Sequence, residues 1–538
     1  MAALFPVDFD PLFSGNHPMR HAVESLFRSP GPRVPARKDA KSVARTLALL
    51  LVAVPLAAVG NTHAQDRGTP DTSGGILGDA ATVESKDPIG AIETQQNEEL
   101  TALDHYVAKP DDSYQWKLIS REETFAGTFF VVDLTSQTWL RADEVDRPQW
   151  QHWLTVFKPK GAKSNKAMMF VGGGSNGRAA PTTIDAQVAT IATVTGSVVA
   201  ELKNVPNQPL IFHGDNVPRV EDDLIGYTWD QYLKTGDDRW PARLPMVKSV
   251  VRAMDTVQAL LASSEGGELT IDQFVVAGGS KRGWTTWMTA AVDPRVVAIA
   301  PIVIDVLNMD VSMRNHYANY GFWAPAIKDY VHHRIMDRRE TERYRELLQL
   351  EDPFAYRDRF TMPKCIINAT GDQFFCPDSS QFYFDQLPGE KNLCYVPNAD
   401  HSLRESNAYE SLIAFHYSIV HDVPRPEFTW THDDDGTIEV RCQSPAQSVK
   451  LWQAFNPESR DFRVDTIGKA FQSQELTKGD DGVYRAKIDI PEKGWVAAFV
   501  QCEFNLGTPV PLRLTTDVRV LPELRPFLDK PIPTERSE

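Results

Sequence analysis

Three side chains in this sequence have the types and order needed to cleave an acyl bond. Ser280 stands in FVVAGGSKRGW (274–284), Asp372 in KCIINATGDQFFCPD and His401 in NLCYVPNADHSL, each just beyond an apolar run. A serine hydroxyl becomes a useful nucleophile when an imidazole takes its proton and a carboxylate fixes the imidazole's tautomer. Gly278 and Gly279 supply the small neighbours that a strained strand-to-helix turn requires, with Ser280 at its apex. The backbone N–H of Lys281, at the start of the following helix, is placed to stabilise an oxyanion. The spacing departs from G-x-S-x-G, because Arg282 occupies the +2 position and the glycine, Gly283, comes at +3. A glycine-rich turn capped by a serine is the plain alternative. A second glycine loop, Gly172-Gly173-Gly174, follows the apolar run AMMFV (167–171). Loops of this kind supply further oxyanion donors, so Gly173, Gly174, Lys281 and Arg282 are the candidate oxyanion and substrate-binding residues. The loop has no G-x-x-x-x-G-K-[ST] pattern, which argues against a phosphate cradle. Asp378, Asp400 and Asp305 compete with Asp372 for the acid. Asp372 is preferred as the first carboxylate past its strand.

These residues need a scaffold that brings three strand ends together. Residues 113–158 read as antiparallel strands with alternating burial. Strand-like runs at 167–171, 197–202, 274–279, 296–305, 364–370 and 392–398 then alternate with helical patterns at 183–193, 246–263, 281–291 and 406–420. That alternation predicts a mainly parallel sheet covered on both faces. Ser, acid and His after successive strands is the chain order of an α/β-hydrolase, and 96–423 is its expected extent. Residues 306–360 read as a helical cap inserted over the sheet. Past Pro424, short alternating strands predict a β-sandwich over 424–524. Trp150, His152 and Trp153 read as strand packing, His332 and His333 as surface, and Asp433-Asp434-Asp435-Gly436 as a solvated turn.

Composition narrows the function classes. The 538 residues are 42% hydrophobic and 24% charged, which is globular, and the net charge of −16 disfavours a nucleic-acid partner. Five cysteines without C-x-x-C spacing give no metal site, and neither metal nor cofactor is expected. Cys442 and Cys502 could pair in an oxidising compartment, whereas Cys365 and Cys394 read as buried thiols. Residues 47–59, LALLLVAVPLAAV, follow Arg45 and precede Thr62-His63-Ala64. A basic flank, a short apolar core and small residues describe a signal peptide cut near Ala64. Residues 1–64 are then a signal peptide with a misassigned extension, Val43 being a candidate start, and 65–95 a flexible leader. The expected product is periplasmic or extracellular, without a stable membrane span, acting on a small-molecule or peptide substrate.

GGSKRGWTTW, ATGDQFFCPDSS, PNADHSL, IVIDVLNM and the W-x-H-W strand together resemble the PhoPQ-activated pathogenicity-related proteins over about residues 95–520. The resemblance implies an α/β-hydrolase fold, a secreted or periplasmic location, and a link to envelope stress and antimicrobial-peptide resistance. The G-x-S-K/R-x-G form also looks like that of glucuronoyl esterases, which implies that the Lys281 side chain assists at the oxyanion and that the acyl substrate is polar or anionic. The activity expected is acyl-enzyme hydrolysis of an ester, thioester or peptide bond. The alternatives are a secreted binding or signalling protein that keeps the fold without catalysis, and a polysaccharide binder using the sandwich. Mass spectrometry of the mature protein from its host is expected to find an N-terminus near Gln65; residues 1–42 in the mature form would refute the signal.

Overall fold

The computed structural model describes residues 100–532; the expected signal segment and leader lie outside the described residues. The chain starts with α1 (Ala102–Ala108), closed by a capping box between Thr101 and Asp104. Three antiparallel strands follow: β1 (Gln115–Glu123), β2 (Gly127–Thr138) and β3 (Gln149–Pro159). The chain then alternates through β4 (Lys166–Val171), α2 (Ala186–Thr195) and β5 (Val198–Leu202). Next come α3 (Glu221–Thr235), α4 (Arg243–Ala262), β6 (Gln273–Gly279), α5 (Lys281–Val292) and β7 (Val296–Ile302). The strand order β2-β3-β5-β4-β6-β7-β8-β9, in which β8 is Lys364–Ala369 and β9 is Lys391–Val396, is that of an α/β-hydrolase. Strands β5, β4, β6, β7, β8 and β9 run parallel.

Alternation along β6 shows why the sheet needs two covers. Phe274 and Val276 enter one apolar cluster and Val275 and Ala277 the other. The first cluster draws on Met246, Val250 and Met254 of α4 and on Trp287 of α5. The second draws on Val188 and Ile191 of α2, and on Leu412 and Phe415 of a helix at Ala408–Val420. Between β7 and β8 the expected cap contains α6 (Met309–Tyr320), α7 (Lys328–His332) and α8 (Glu342–Glu351); the Ala408–Val420 helix is therefore α9. His152 packs inside as expected, 1% exposed, bonded to Ser136 and the Lys203 carbonyl. His333 does not lie free on the surface: its Nε2 meets Asp223 at 2.7 Å.

The C-terminal strands make two layers, as expected, but the larger layer does not stand apart. Here β10 (Phe428–His432), β11 (Thr437–Cys442) and β14 (Tyr484–Lys487) form a separate three-stranded sheet. The others are β12 (Ser448–Asn456), β13 (Gln472–Glu475), β15 (Trp495–Phe504), β16 (Leu512–Thr515) and β17 (Arg519–Leu521). They extend the central sheet through β16, where Thr515 pairs with Leu393 of β9 and its Oγ1 accepts from Tyr395 N–H at 3.1 Å. An uncovered β9 would present an open edge of unpaired backbone groups, and β16 covers it.

Cys442 of β11 and Cys502 of β15 face each other between the layers, with Sγ atoms 3.8 Å apart as thiols. Exchange with a small disulfide oxidant would join them and release two small thiols. The oxidised chain is expected to give a linked Cys442–Cys502 peptide and a higher melting temperature, since closing a loop of this length contributes about 4 kcal/mol. Cys442→Ser should remove the difference between oxidised and reduced protein in thermal melts.

Candidate active site

Ser280 sits between β6 and α5 with φ 57° and ψ −127°, a region rarely entered by a residue with a β-carbon. Its N–H donates to Ile302 O at 2.8 Å, which anchors the turn to β7. The glycine at +3 has a steric reason: a β-carbon on Gly283 would lie 2.8 Å from Gly278 O and 2.9 Å from Ile302 O. A β-carbon on Gly278 would in turn meet Arg282 O at 2.8 Å. The helix can therefore approach the strand ends only with glycine at both places.

The three sequence candidates form one hydrogen-bonded chain. His401 Nε2 lies 2.9 Å from Ser280 Oγ, and His401 Nδ1 lies 2.8 and 3.0 Å from the two oxygens of Asp372. An ionised carboxylate only accepts, so the Nδ1 proton points to Asp372 and Nε2 is left to take the Ser280 proton. Phe374 N–H donates to Asp372 Oδ1 at 2.7 Å, and the Phe374 ring lies against the imidazole with centroids 4.3 Å apart. Gln373 accepts from His401 N–H at 3.0 Å. The competing acids go elsewhere. Asp378 pairs with Arg460 at 2.7 Å, Asp400 accepts from Ser402, and Asp305 accepts from the hydroxyls of Tyr383 and Tyr395, each at 2.6 Å.

The parallel register Val171↔Gly278 brings the glycine loop alongside the Ser280 turn, with Gly173 two residues beyond the strand end, level with Ser280. The carbonyls of Gly172, Gly173 and Gly174 accept from Val205 N–H, Asn204 N–H and Gln208 Nε2. The N–H groups of Gly173 and Gly174 donate to no acceptor among the described residues. The Lys281 N–H opens α5, where intrahelical acceptors are lacking. These three donors could serve one oxyanion.

The side chains of Lys281 and Arg282 do not follow the sequence expectation. Lys281 Nζ is held by Glu221 at 2.7 Å and Asp222 at 3.3 Å. The Arg282 guanidinium grips both oxygens of Glu221, at 2.7 and 2.9 Å. Carboxylates brought in by α3 thus pair with both cations. Sequence reading missed Glu221, Gln208 and Phe374; the acidic run Glu221-Asp222-Asp223 was the available signal.

Asp305 is 2% exposed. Burial pushes its carboxyl up to about 7 against the two tyrosine hydroxyls, and the nearby charges of Asp372 and Asp378 push the same way. A group whose folded pKa is raised favours the native state below its unfolded value and loses that contribution as pH rises through the folded one. Asp305→Asn is therefore expected to flatten the decline of stability between about pH 4 and 7, a slope of at most about 1.4 kcal/mol per unit. Urea melts across this range check it; an unchanged slope refutes the assignment.

Comparison with known proteins bears on the family. The sequence model described as PhoPQ-activated pathogenicity-related protein matches residues 103–463. Autocrine proliferation repressor protein A of Dictyostelium discoideum is 39% identical over 459 residues, covering 79% of this chain and 92% of that protein. Among solved structures, acetyl xylan esterase 1 from Thermoanaerobacterium sp. JW/SL YS485 aligns over 56% of this chain and 88% of its own, at 17% identity and a TM-score of 0.38. An acylaminoacyl peptidase from Pyrococcus horikoshii aligns over 57% of this chain and 50% of its own, at 12% identity and a TM-score of 0.36. Among the described residues no helix is long and apolar enough to cross a membrane. By the extent of the sequence match, the chain belongs to the PhoPQ-activated pathogenicity-related protein family.

Proposed function

We propose that this chain is a serine hydrolase acting on an ester or peptide bond through an acyl-enzyme. The observation that carries the reading is the bonded chain Ser280–His401–Asp372 at the ends of β6, β8 and β9. In this reading Ser280 Oγ attacks the acyl carbonyl while His401 Nε2 takes its proton. The same nitrogen returns that proton to the leaving group, and water then releases the acyl group by the reverse sequence. Asp372 holds the tautomer and stabilises the imidazolium. The N–H groups of Lys281, Gly173 and Gly174 receive the developing oxyanion. The family and the apolar run at 47–59 support action outside the cytoplasm, in the envelope or beyond it, with envelope stress and antimicrobial-peptide resistance as the setting.

One finding favours a second reading. The relative at 39% identity is named as an autocrine repressor, which suits a secreted signalling protein on the same fold. Fluorophosphonate labelling separates the two: labelling of Ser280, lost in Ser280→Ala, is the hydrolase outcome. Ser280→Ala is expected to lower turnover of p-nitrophenyl acetate on the order of 10⁶-fold with a nearly unchanged melting temperature. Asp372→Asn should lose on the order of 10⁴-fold through the wrong tautomer. Activity of Ser280→Ala within about tenfold of the parent would sink the triad.

A further inference from the structure

The groups behind the nucleophile turn converge on one carboxylate. Glu221 opens α3 with a positive φ of 53°. Its Oε1 accepts from Arg282 Nη2 at 2.7 Å and Gln208 Nε2 at 2.5 Å. Its Oε2 accepts from Arg282 Nη1 at 2.9 Å and Lys281 Nζ at 2.7 Å. Four donors fill the acceptor positions of a carboxylate, so Glu221 has no capacity left for substrate. Burial opposes its ionisation, but the charges of Arg282 and Lys281 outweigh that and hold its carboxyl well below the usual range.

Two routes lead from Glu221 to the glycine loop. In one, Glu221 N–H donates to Gln208 Oε1 at 2.7 Å, and Gln208 Nε2 donates onward to Gly174 O at 2.9 Å. In the other, Arg282 Nε donates to Val205 O at 2.5 Å, and Val205 N–H donates to Gly172 O at 3.1 Å. Between the routes the guanidinium lies on the bare face of Gly173, where a β-carbon would come within 2.9 Å of Nη2. One side chain therefore ties the turn that carries Ser280 and the Lys281 N–H to the loop that carries the N–H groups of Gly173 and Gly174.

We propose that Glu221 is the positioning residue of the oxyanion site, setting the separation of donors that come from two different loops. This rests on the hydrolase reading. An oxyanion needs donors from both loops at once, whereas a ground-state carbonyl depends on them far less. Loosening the link should therefore appear in kcat and not in KM.

The test compares the full chain with Glu221→Gln and Gln208→Met on p-nitrophenyl acetate, alongside fluorophosphonate labelling and thermal melting. Glu221→Gln is expected to lower kcat about 10²-fold, the scale of a small misplacement of reacting groups. KM should stay within about twofold, and the pH midpoint of kcat/KM should not move, because His401 keeps Asp372. An active parent with Glu221→Gln at nearly full kcat, or with the loss in KM or in the pH midpoint, overturns the role of Glu221 alone. A parent that neither labels nor turns over overturns the hydrolase reading, and the role of Glu221 falls with it. If Glu221→Gln does not fold, Gln208→Met decides, since it cuts the Gly174 route and spares both ion pairs. A kcat loss of at least about tenfold supports the proposal and an unchanged kcat overturns it.

Discussion

The strained turn at Ser280 is the constraint that the surrounding structure serves. A non-glycine residue at φ 57° and ψ −127° costs about 1–3 kcal/mol and persists only where its neighbours over-determine it. They do so from three sides. Ile302 O holds Ser280 N–H, and Trp284 N–H holds Ser280 O at 2.9 Å. Gly278 and Gly283 let α5 press onto β6 and β7. Behind the helix, the fully buried Arg243 donates to Lys281 O at 2.7 Å and pairs with the fully buried Glu351 of α8 at 3.3 Å. A buried ion pair adds little net stability by itself, but it fixes geometry, and this one fixes the first turn of α5 against the cap.

The other two members of the bonded chain are braced by the connection between β12 and β13. Gly371 O, next to Asp372, accepts from Val464 N–H at 2.9 Å. Asn398, three residues before His401, exchanges two bonds with the backbone of Phe471, at 2.8 and 2.9 Å. Arg460 joins Asp378 to Asn319 of the cap. Segment 460–471 thus braces the acid loop and the histidine loop together, while β16 continues the sheet beyond β9. The β-rich tail is part of the scaffold that sets the Asp372–His401 distance, which explains why its larger layer is fused to the hydrolase sheet.

What could be read from the sequence was what local patterns encode. The three chemistry-bearing residues each follow an apolar strand run, and Gly371 marks the exit to Asp372, so order and spacing sufficed to expect them at neighbouring strand ends, where they meet. Helix α3 left no such trace. Residues 224–230 are all buried, so no apolar stripe alternates with a polar one. Gly226 interrupts the run because the His333 ring lies 2.8 Å from where its β-carbon would be. Val220 at the N-cap position makes no side-chain cap bond. With α3 invisible, the partners of Lys281, Arg282 and His333 were invisible too, and charged groups read from their own segments looked free. The fusion of β16 to β9 rests on pairing between distant segments, which periodicity within either does not encode.

The pairing of those charges bears on how such a site can discriminate between states. Lys281 and Arg282 meet Glu221 and Asp222, so two cations face two carboxylates within hydrogen-bond or ion-pair distance. A free cation beside Ser280 would attract a substrate or product carboxylate in the ground state, where binding does nothing for the chemical step. Backbone N–H groups at a helix start and in a glycine loop are neutral overall. Their dipoles gain most when a full negative charge develops on the acyl oxygen. In the proposed hydrolase reading the cations fix the positions of the donors and the donors meet the oxyanion. The basic pair after Ser280 is held by Glu221 and Asp222, and the proposed hydrolase reading leaves electrostatic stabilisation to the backbone.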